Sequence, residues 1–123
     1  MPKRILLVDD EPQLLEMVKM RLEVNGYEVL TASDGQQGFD KAKSEKPDLV
    51  ILDLMLPKMD GYKVCGLLKA DTRYSSIPII MFTARAQEQD KEQGEALGAN
   101  AYITKPFEPK MLISKVKELL GEQ

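Results

Sequence analysis

Histidine is absent from the 123 residues and cysteine occurs once, as Cys65. The chain therefore cannot close an internal disulfide, build a Cys/His zinc site, activate a serine or cysteine with an imidazole, or ligate haem through histidine. Long apolar runs are missing too, since none approaches the roughly 20 residues needed to cross a bilayer. The first run, Ile5-Leu6-Leu7-Val8, stops at Asp9-Asp10 and lacks the small-residue cleavage site of a secretory signal. Basic residues number 17 against 20 acidic ones, a net charge of −3 with pI near 5.1, which argues against a general nucleic-acid or anionic-membrane surface. These absences leave the expectation of a soluble, cytoplasmic protein. A length of 123 residues suits one domain over 1–123, and such a domain buries about two-thirds of its unfolded surface, enough to fold without crosslinks.

What is present is an alternation of short apolar runs with longer segments of helical period, the pattern of an α/β domain with a parallel sheet. The runs are 4–8, 28–32, 49–52, 79–82 and 101–103. The first, third and fourth are almost wholly apolar and rich in Ile, Leu and Val, as strands covered on both faces should be, so they belong at the sheet centre. The second is more polar and the fifth is short, which suits edges. Between them, Leu14, Leu15, Val18 and Leu22 form one stripe closed by Asn25-Gly26. Asp34 caps a second helix that runs to about 45, and Gly61, Val64, Cys65 and Leu68 mark a third that starts at about Asp60 and stops near 70. A fourth segment, about 87–97, is charged along most of its length and is expected to pack weakly. The last begins after Pro109 with Leu112, Val116 and Leu119 facing inward. Cys65 and the methionines read as core filler. Right-handed crossovers then place helices on both faces of a five-stranded parallel sheet, with functional loops at the carboxyl ends of the strands.

That topology gathers Asp9, Asp10, Asp53, Thr83 and Lys105 on one edge. Taken singly, an acid there is more often a helix cap or solvated turn residue, Thr83 a hydroxyl bonded to backbone, and Lys105 a solvated lysine. Together they conflict with those roles, because two carboxylates ~5 Å apart repel by about 3 kcal/mol at an effective dielectric near 20. Three would largely protonate unless a cation were present. All-oxygen ligands without His or Cys favour a hard ion, and few carboxylates plus waters favour Mg²⁺ over Ca²⁺. Thr83 and Lys105 would complete an anion site able to hold phosphoryl oxygens, with Asp53 as the nucleophile that forms an acyl phosphate.

These residues resemble the receiver domains of bacterial two-component response regulators over nearly the whole chain. Leu7-Val8-Asp9-Asp10-Glu11 is similar to the acidic pair of that family, and the segment from Leu52-Asp53-Leu54-Met55 through Asp60-Gly61 to its phosphoacceptor loop. Phe82-Thr83-Ala84 and Thr104-Lys105-Pro106-Phe107 match its threonine strand and lysine loop. The resemblance implies a flavodoxin-like, doubly wound fold with strand order 2-1-3-4-5. It implies phosphorylation of Asp53 by a sensor histidine kinase or phosphotransfer protein, without a turnover substrate. Mg²⁺ would sit on Asp10, Asp53 and the backbone carbonyl of Met55, with Asp9 assisting through water, and Thr83 and Lys105 would take the phosphoryl oxygens. By the same resemblance Lys105-Pro106 is cis, Thr83 and Tyr102 form the switch, and Met55 and Arg85 tune phosphoryl lifetime. Output to a downstream protein target would pass through the face made by segment 87–97, the fifth strand and the last helix, with no direct nucleic-acid or membrane contact. Asn100 and Ala101 replace two acids that serve dimer salt bridges in one large group of receivers, so a mainly monomeric protein with at most a weak phosphorylation-driven dimer is expected.

Three other functions compete with this one. A pseudo-receiver would dock partners without phosphorylation, but the Asp10, Asp53, Thr83 and Lys105 set is intact. An aspartyl-nucleophile phosphatase would carry a second acid where Met55 stands. A flavin carrier would carry a phosphate-binding loop after the first strand, where Asp9-Asp10-Glu11 would repel phosphate.

Overall fold

Strands β1 (Arg4–Val8), β2 (Glu28–Ala32), β3 (Leu49–Asp53), β4 (Ile79–Thr83) and β5 (Ala101–Thr104) form one parallel sheet in the order β2-β1-β3-β4-β5. The computed structural model describes residues 2–83, 92 and 95–122. Four helices accompany the sheet among these residues: α1 (Pro12–Val24), α2 (Gly35–Glu45), α3 (Gly61–Ala70) and α4 (Pro109–Leu119). The charged segment expected at about 87–97 lies outside the described residues except at 92 and 95–97, as do Ala84 and Arg85.

The two-residue period of the strands divides the core into two layers. Leu6, Val8, Val50, Leu52, Ile79 and Met81 pack with Ala42 of α2 and with Val64, Cys65 and Leu68 of α3. Ile5, Leu7, Leu49, Ile51, Ile80 and Phe82 pack on the other face with Val18 and Leu22 of α1 and Leu112 and Val116 of α4. The central strands are almost completely buried, and each fully buried aliphatic side chain contributes about 1.5–3 kcal/mol. That layering makes the carboxyl edge of the sheet a stiff platform. The polar run forms edge strand β2 and the short run forms edge strand β5, as their compositions imply.

Local signals behave as read. Asp34 Oδ1 accepts from Gln37 N at 2.8 Å and Asp60 Oδ1 from Lys63 N at 2.9 Å, capping α2 and α3. Asn25 caps the carboxyl end of α1, followed by Gly26 at φ +92°. Asn100 brackets the start of β4, donating from its backbone to Ile79 O at 2.8 Å and accepting Ile79 N on Oδ1 at 2.9 Å.

Three expectations change. Strands β3, β4 and β5 each extend one residue further, because the ladder continues through the pairs Asp53 with Phe82 and Thr83 with Thr104. Helix α4 starts at Pro109 itself, with Glu108 as N-cap, since the fixed φ of proline suits the first helical position. The methionines are mostly not core filler: Met17, Met20, Met55 and Met111 are exposed, and only Met81 is fully buried among those described. Cys65 is buried, and burial pushes its thiol up to about 11.

Helix α3 approaches the end of β3 so closely that only glycine fits at its first residue. A Cβ on Gly61 would stand 2.2 Å from the carbonyl oxygen of Asp53 and 2.8 Å from Leu54 Cα. On Gly66 of the same helix it would meet, among the described residues, only Leu97 Cδ2, at 3.4 Å. Gly61→Ala is therefore expected to destabilise the fold by about 2–3 kcal/mol through backbone displacement. Gly66→Ala should be neutral or stabilise by up to about 1 kcal/mol through helix propensity. Urea denaturation of the two variants checks the contrast, and equal midpoints would contradict it.

Candidate functional site

Because all five strands run the same way, their carboxyl ends share one edge. Asp9 follows β1 and extends its ladder through a bond from Asp9 N to Ala32 O at 3.1 Å. Asp10 comes next, Asp53 is the last residue of β3, Thr83 the last of β4, and Lys105 follows β5. Asp9 is 0% and Asp53 4% exposed, whereas Asp10 faces solvent. Carboxylate oxygens of Asp9, Asp10 and Asp53 all lie within 4.8 Å of one another.

Lys105 reaches into this acidic cluster. Its Nζ donates to Asp9 Oδ2 at 2.8 Å and, at 3.4 Å each, to Asp53 Oδ2 and Glu11 Oε1. The ammonium also stands 4.9 Å from the centre of the Phe82 ring, and Phe107 packs edge-on against that ring at 5.7 Å, so an aromatic floor supports the cation. The Lys105-Pro106 peptide is cis. Burial alone would lower the Lys105 ammonium, but its bond to Asp9 and the charges of Asp53, Asp9 and Glu11 outweigh it and hold it above the ordinary lysine value. Burial is also the main influence on Asp53: with the nearby charge of Asp9 it raises the carboxyl above its usual range, against the opposing pull of Lys105 and the Met55 N–H.

The loop after β3 is pinned at several points. Met55 N donates to Asp53 Oδ1 at 3.3 Å, Gly61 N to Leu54 O at 2.8 Å, and Gly35 N to Pro57 O at 3.1 Å. Leu54 and Leu56 are buried, while the Met55 side chain is exposed. The main chain of Met55 is thus held beside the cluster whatever its thioether does.

The cluster can take a small hard cation. Neighbouring oxygens on Mg²⁺ stand ~3 Å apart and opposite ones ~4.2 Å, so the oxygens that bind the ion would draw closer than the 4.8 Å within which the three carboxylates already lie. Its donors are all oxygen, as that ion prefers.

Of the residues singled out in the sequence, the structure brings together Asp9, Asp10, Asp53 and Lys105, with the Met55 backbone beside them. Thr83 takes its place at the end of β4 through its pairing with Thr104. Tyr102 lies half-buried in β5 against the layer under α2 and α3. Arg85 falls outside the described residues. Glu11, Phe82 and Gly61 had no assigned role. Glu11 had a signal, as a third acid directly after the pair, and so did Phe82, as a bulky ring one residue before Thr83.

The comparisons agree with this geometry. The sequence model of the response regulator receiver domain matches residues 5–117, and the chain belongs to that family. It is 48% identical over 120 residues to the alkaline phosphatase synthesis transcriptional regulatory protein PhoP of Bacillus subtilis, an alignment covering 98% of this chain and 49% of that protein. The chain thus spans about half the length of that curated relative. A response regulator from Chloroflexus aurantiacus superposes with a TM-score of 0.93 at 36% identity, covering 99% of this chain and all of that one. The receiver domain of the sensor histidine kinase PA1611 from Pseudomonas aeruginosa, described with magnesium coordinated in its active site cleft, superposes at 0.90 with 31% identity over 99% of this chain and 100% of its own. Among the described residues no helix is long and apolar enough to cross a membrane.

The raised pKa of Asp53 makes a stability prediction with a definite sign. A carboxyl that holds its proton more tightly in the native than in the unfolded state costs stability once ionised; the cost is full above the native value and vanishes below the ordinary one. Burial of the carboxylate and the charge of Asp9 oppose its ionisation, and Lys105 at 3.4 Å together with the Met55 N–H offsets them only in part. In metal-free buffer, Asp53→Asn should therefore stabilise the protein at neutral pH. The gain should shrink as pH falls through the acid range. Urea midpoints of both proteins across pH check this, and a destabilised variant at neutral pH would contradict it.

Proposed function

We propose that Asp53 is the phosphoacceptor of a two-component switch, with residues 1–123 acting as one receiver unit. The observation that carries the reading is the single ammonium of Lys105, held 2.8 Å from Asp9 and 3.4 Å from Asp53 among three converging carboxylates. An Asp53 carboxylate oxygen attacks the phosphorus of a phosphohistidine on a sensor histidine kinase or phosphotransfer protein. The phosphorus–nitrogen bond breaks, and its electron pair leaves with the imidazole, which takes up a proton. In-line transfer of this kind demands positioning and neutralisation more than covalent help. Asp10, Asp53 and the carbonyl of Met55 would hold Mg²⁺, with Asp9 joining through water; when bound, the ion neutralises charge gathered on the carboxylates and the phosphoryl oxygens. Lys105 and Thr83 take the remaining phosphoryl oxygens.

The chain is an acceptor without a turnover substrate. An aspartyl phosphatase would place a second acid two residues beyond its nucleophile, and Met55, a thioether exposed to solvent, stands there. Through Thr83 and Tyr102 the phosphorylated state would be read by a downstream protein on the face of β5, α4 and segment 87–97. The net charge of −3 gives this unit no basic footprint for nucleic acid, and we assign it a cytoplasmic setting and a mainly monomeric state with at most a weak dimer on phosphorylation. Met55 and Arg85, neither a carboxylate nor an amide, favour a longer phosphoryl lifetime than the chemotaxis type shows.

Intact-mass spectrometry after incubation with acetyl phosphate and Mg²⁺ should show one added phosphoryl group, acid-stable and base-labile, and none on Asp53→Asn. Equal labelling of that variant would refute the acceptor. Decay of the label should be slower than that of a chemotaxis regulator followed in parallel, and decay no slower than that would refute the lifetime assignment.

A further inference from the structure

The contact between Glu11 and Lys105 has no part in the function proposed above. Glu11 is the N-cap residue of α1, a position from which a short polar side chain commonly accepts a helix N–H, yet its side chain makes no cap bond. Instead its Oε1 accepts from Lys105 Nζ at 3.4 Å. Its backbone N–H donates to Asp9 Oδ1 at 2.9 Å, and the other oxygen of Asp9 accepts from the same ammonium at 2.8 Å. Glu11, Asp9 and Lys105 therefore close a ring, with Asp53 Oδ2 as the remaining acceptor at 3.4 Å.

An ammonium has three protons, and here each faces a carboxylate. A phosphoryl oxygen arriving on Asp53 finds no N–H until one acceptor yields. Asp9 is fully buried and holds the shortest bond, and Asp53 carries the phosphoryl group itself. Glu11 is long, and its side chain is 65% exposed, so water can resolvate it at little cost.

We infer that Glu11 is a positioning residue for Lys105: it occupies the third proton of the ammonium in the resting state and surrenders it to a phosphoryl oxygen. Glu11 thus competes with the phosphoryl group for Lys105 and sets how readily the site closes on an anion. The inference rests on the reading of Asp53 as phosphoacceptor.

Beryllofluoride, a phosphoryl stand-in, tests it by calorimetry at saturating Mg²⁺. Glu11→Ala should tighten beryllofluoride binding roughly two- to fivefold, the scale of an exposed ion pair. Glu11→Gln, which keeps an acceptor but not the charge, should fall between that variant and the parent. In a Lys105→Met background, Glu11→Ala should change nothing, because the effect passes through the ammonium. Equal tightening in both backgrounds would make Glu11 only a source of negative charge, and no tightening in either would remove its role; each overturns the inference. Should Lys105→Met hold no beryllofluoride, the carboxyl-carbon NMR shift of Glu11 in the parent decides. It should move on adding beryllofluoride with Mg²⁺ as the ammonium leaves, and an unmoved signal overturns the inference. A parent that binds no beryllofluoride overturns the phosphoacceptor reading, and this inference with it.

Discussion

Three carboxylates within 4.8 Å of each other, two of them almost fully buried, are balanced among the described residues by one ammonium, that of Lys105. Such a crowd is costly in a low-dielectric setting, and a fold retains it only if something rigid holds the groups in place. Here that is the parallel sheet. Asp9 and Asp53 are continuous with strands whose side chains are buried on both faces, so neither can retreat without disturbing the ladder or the core. Lys105 is restrained in its turn by Asp9 and by the Phe82 ring, which Phe107 packs against edge-on and which is itself buried in the layer under α1 and α4.

The same constraint explains the close approach at the start of α3. The loop after β3 must present the Met55 backbone beside Asp53 and then turn at once into a helix that covers Leu52 and Val50. Gly61 permits this by letting α3 touch the Asp53 carbonyl, while Gly35 holds Pro57 from the opposite helix. Two helices on one face of the sheet thus clamp a loop whose main chain belongs to the site. Their packing and the site's geometry are one structural problem, which links sequence positions distant from the chemistry to it.

Much of this was legible in the residues. The near-continuous apolar runs of β1, β3 and β4 set the sheet centre, the polar β2 and short β5 set its edges, and Asp34 and Asp60 signalled helix starts. Asp9, Asp10, Asp53 and Lys105 emerged from strand ends alone, since parallel topology leaves them nowhere else to go. Strand order came through family resemblance, because five strands of similar composition allow several arrangements. What pattern could not show was contact between side chains. The role of Glu11 depends on which way an N-cap side chain turns, and that of Phe82 on a ring lying beneath an ammonium that follows the next strand. The exposure of Met17, Met20 and Met111 escapes the pattern for a related reason: methionine fits core and surface equally well, so only the rotation of α1 and α4 about their axes decides its place.

Calorimetric titration of the metal-free protein with Mg²⁺ is the most direct test of the balance on which the site depends. A single site in the parent, strongly weakened in Asp10→Asn because a direct carboxylate and its charge are removed together, is the predicted result. Absence of Mg²⁺ binding, or equal affinity in the parent and in Asp10→Asn, would contradict the account.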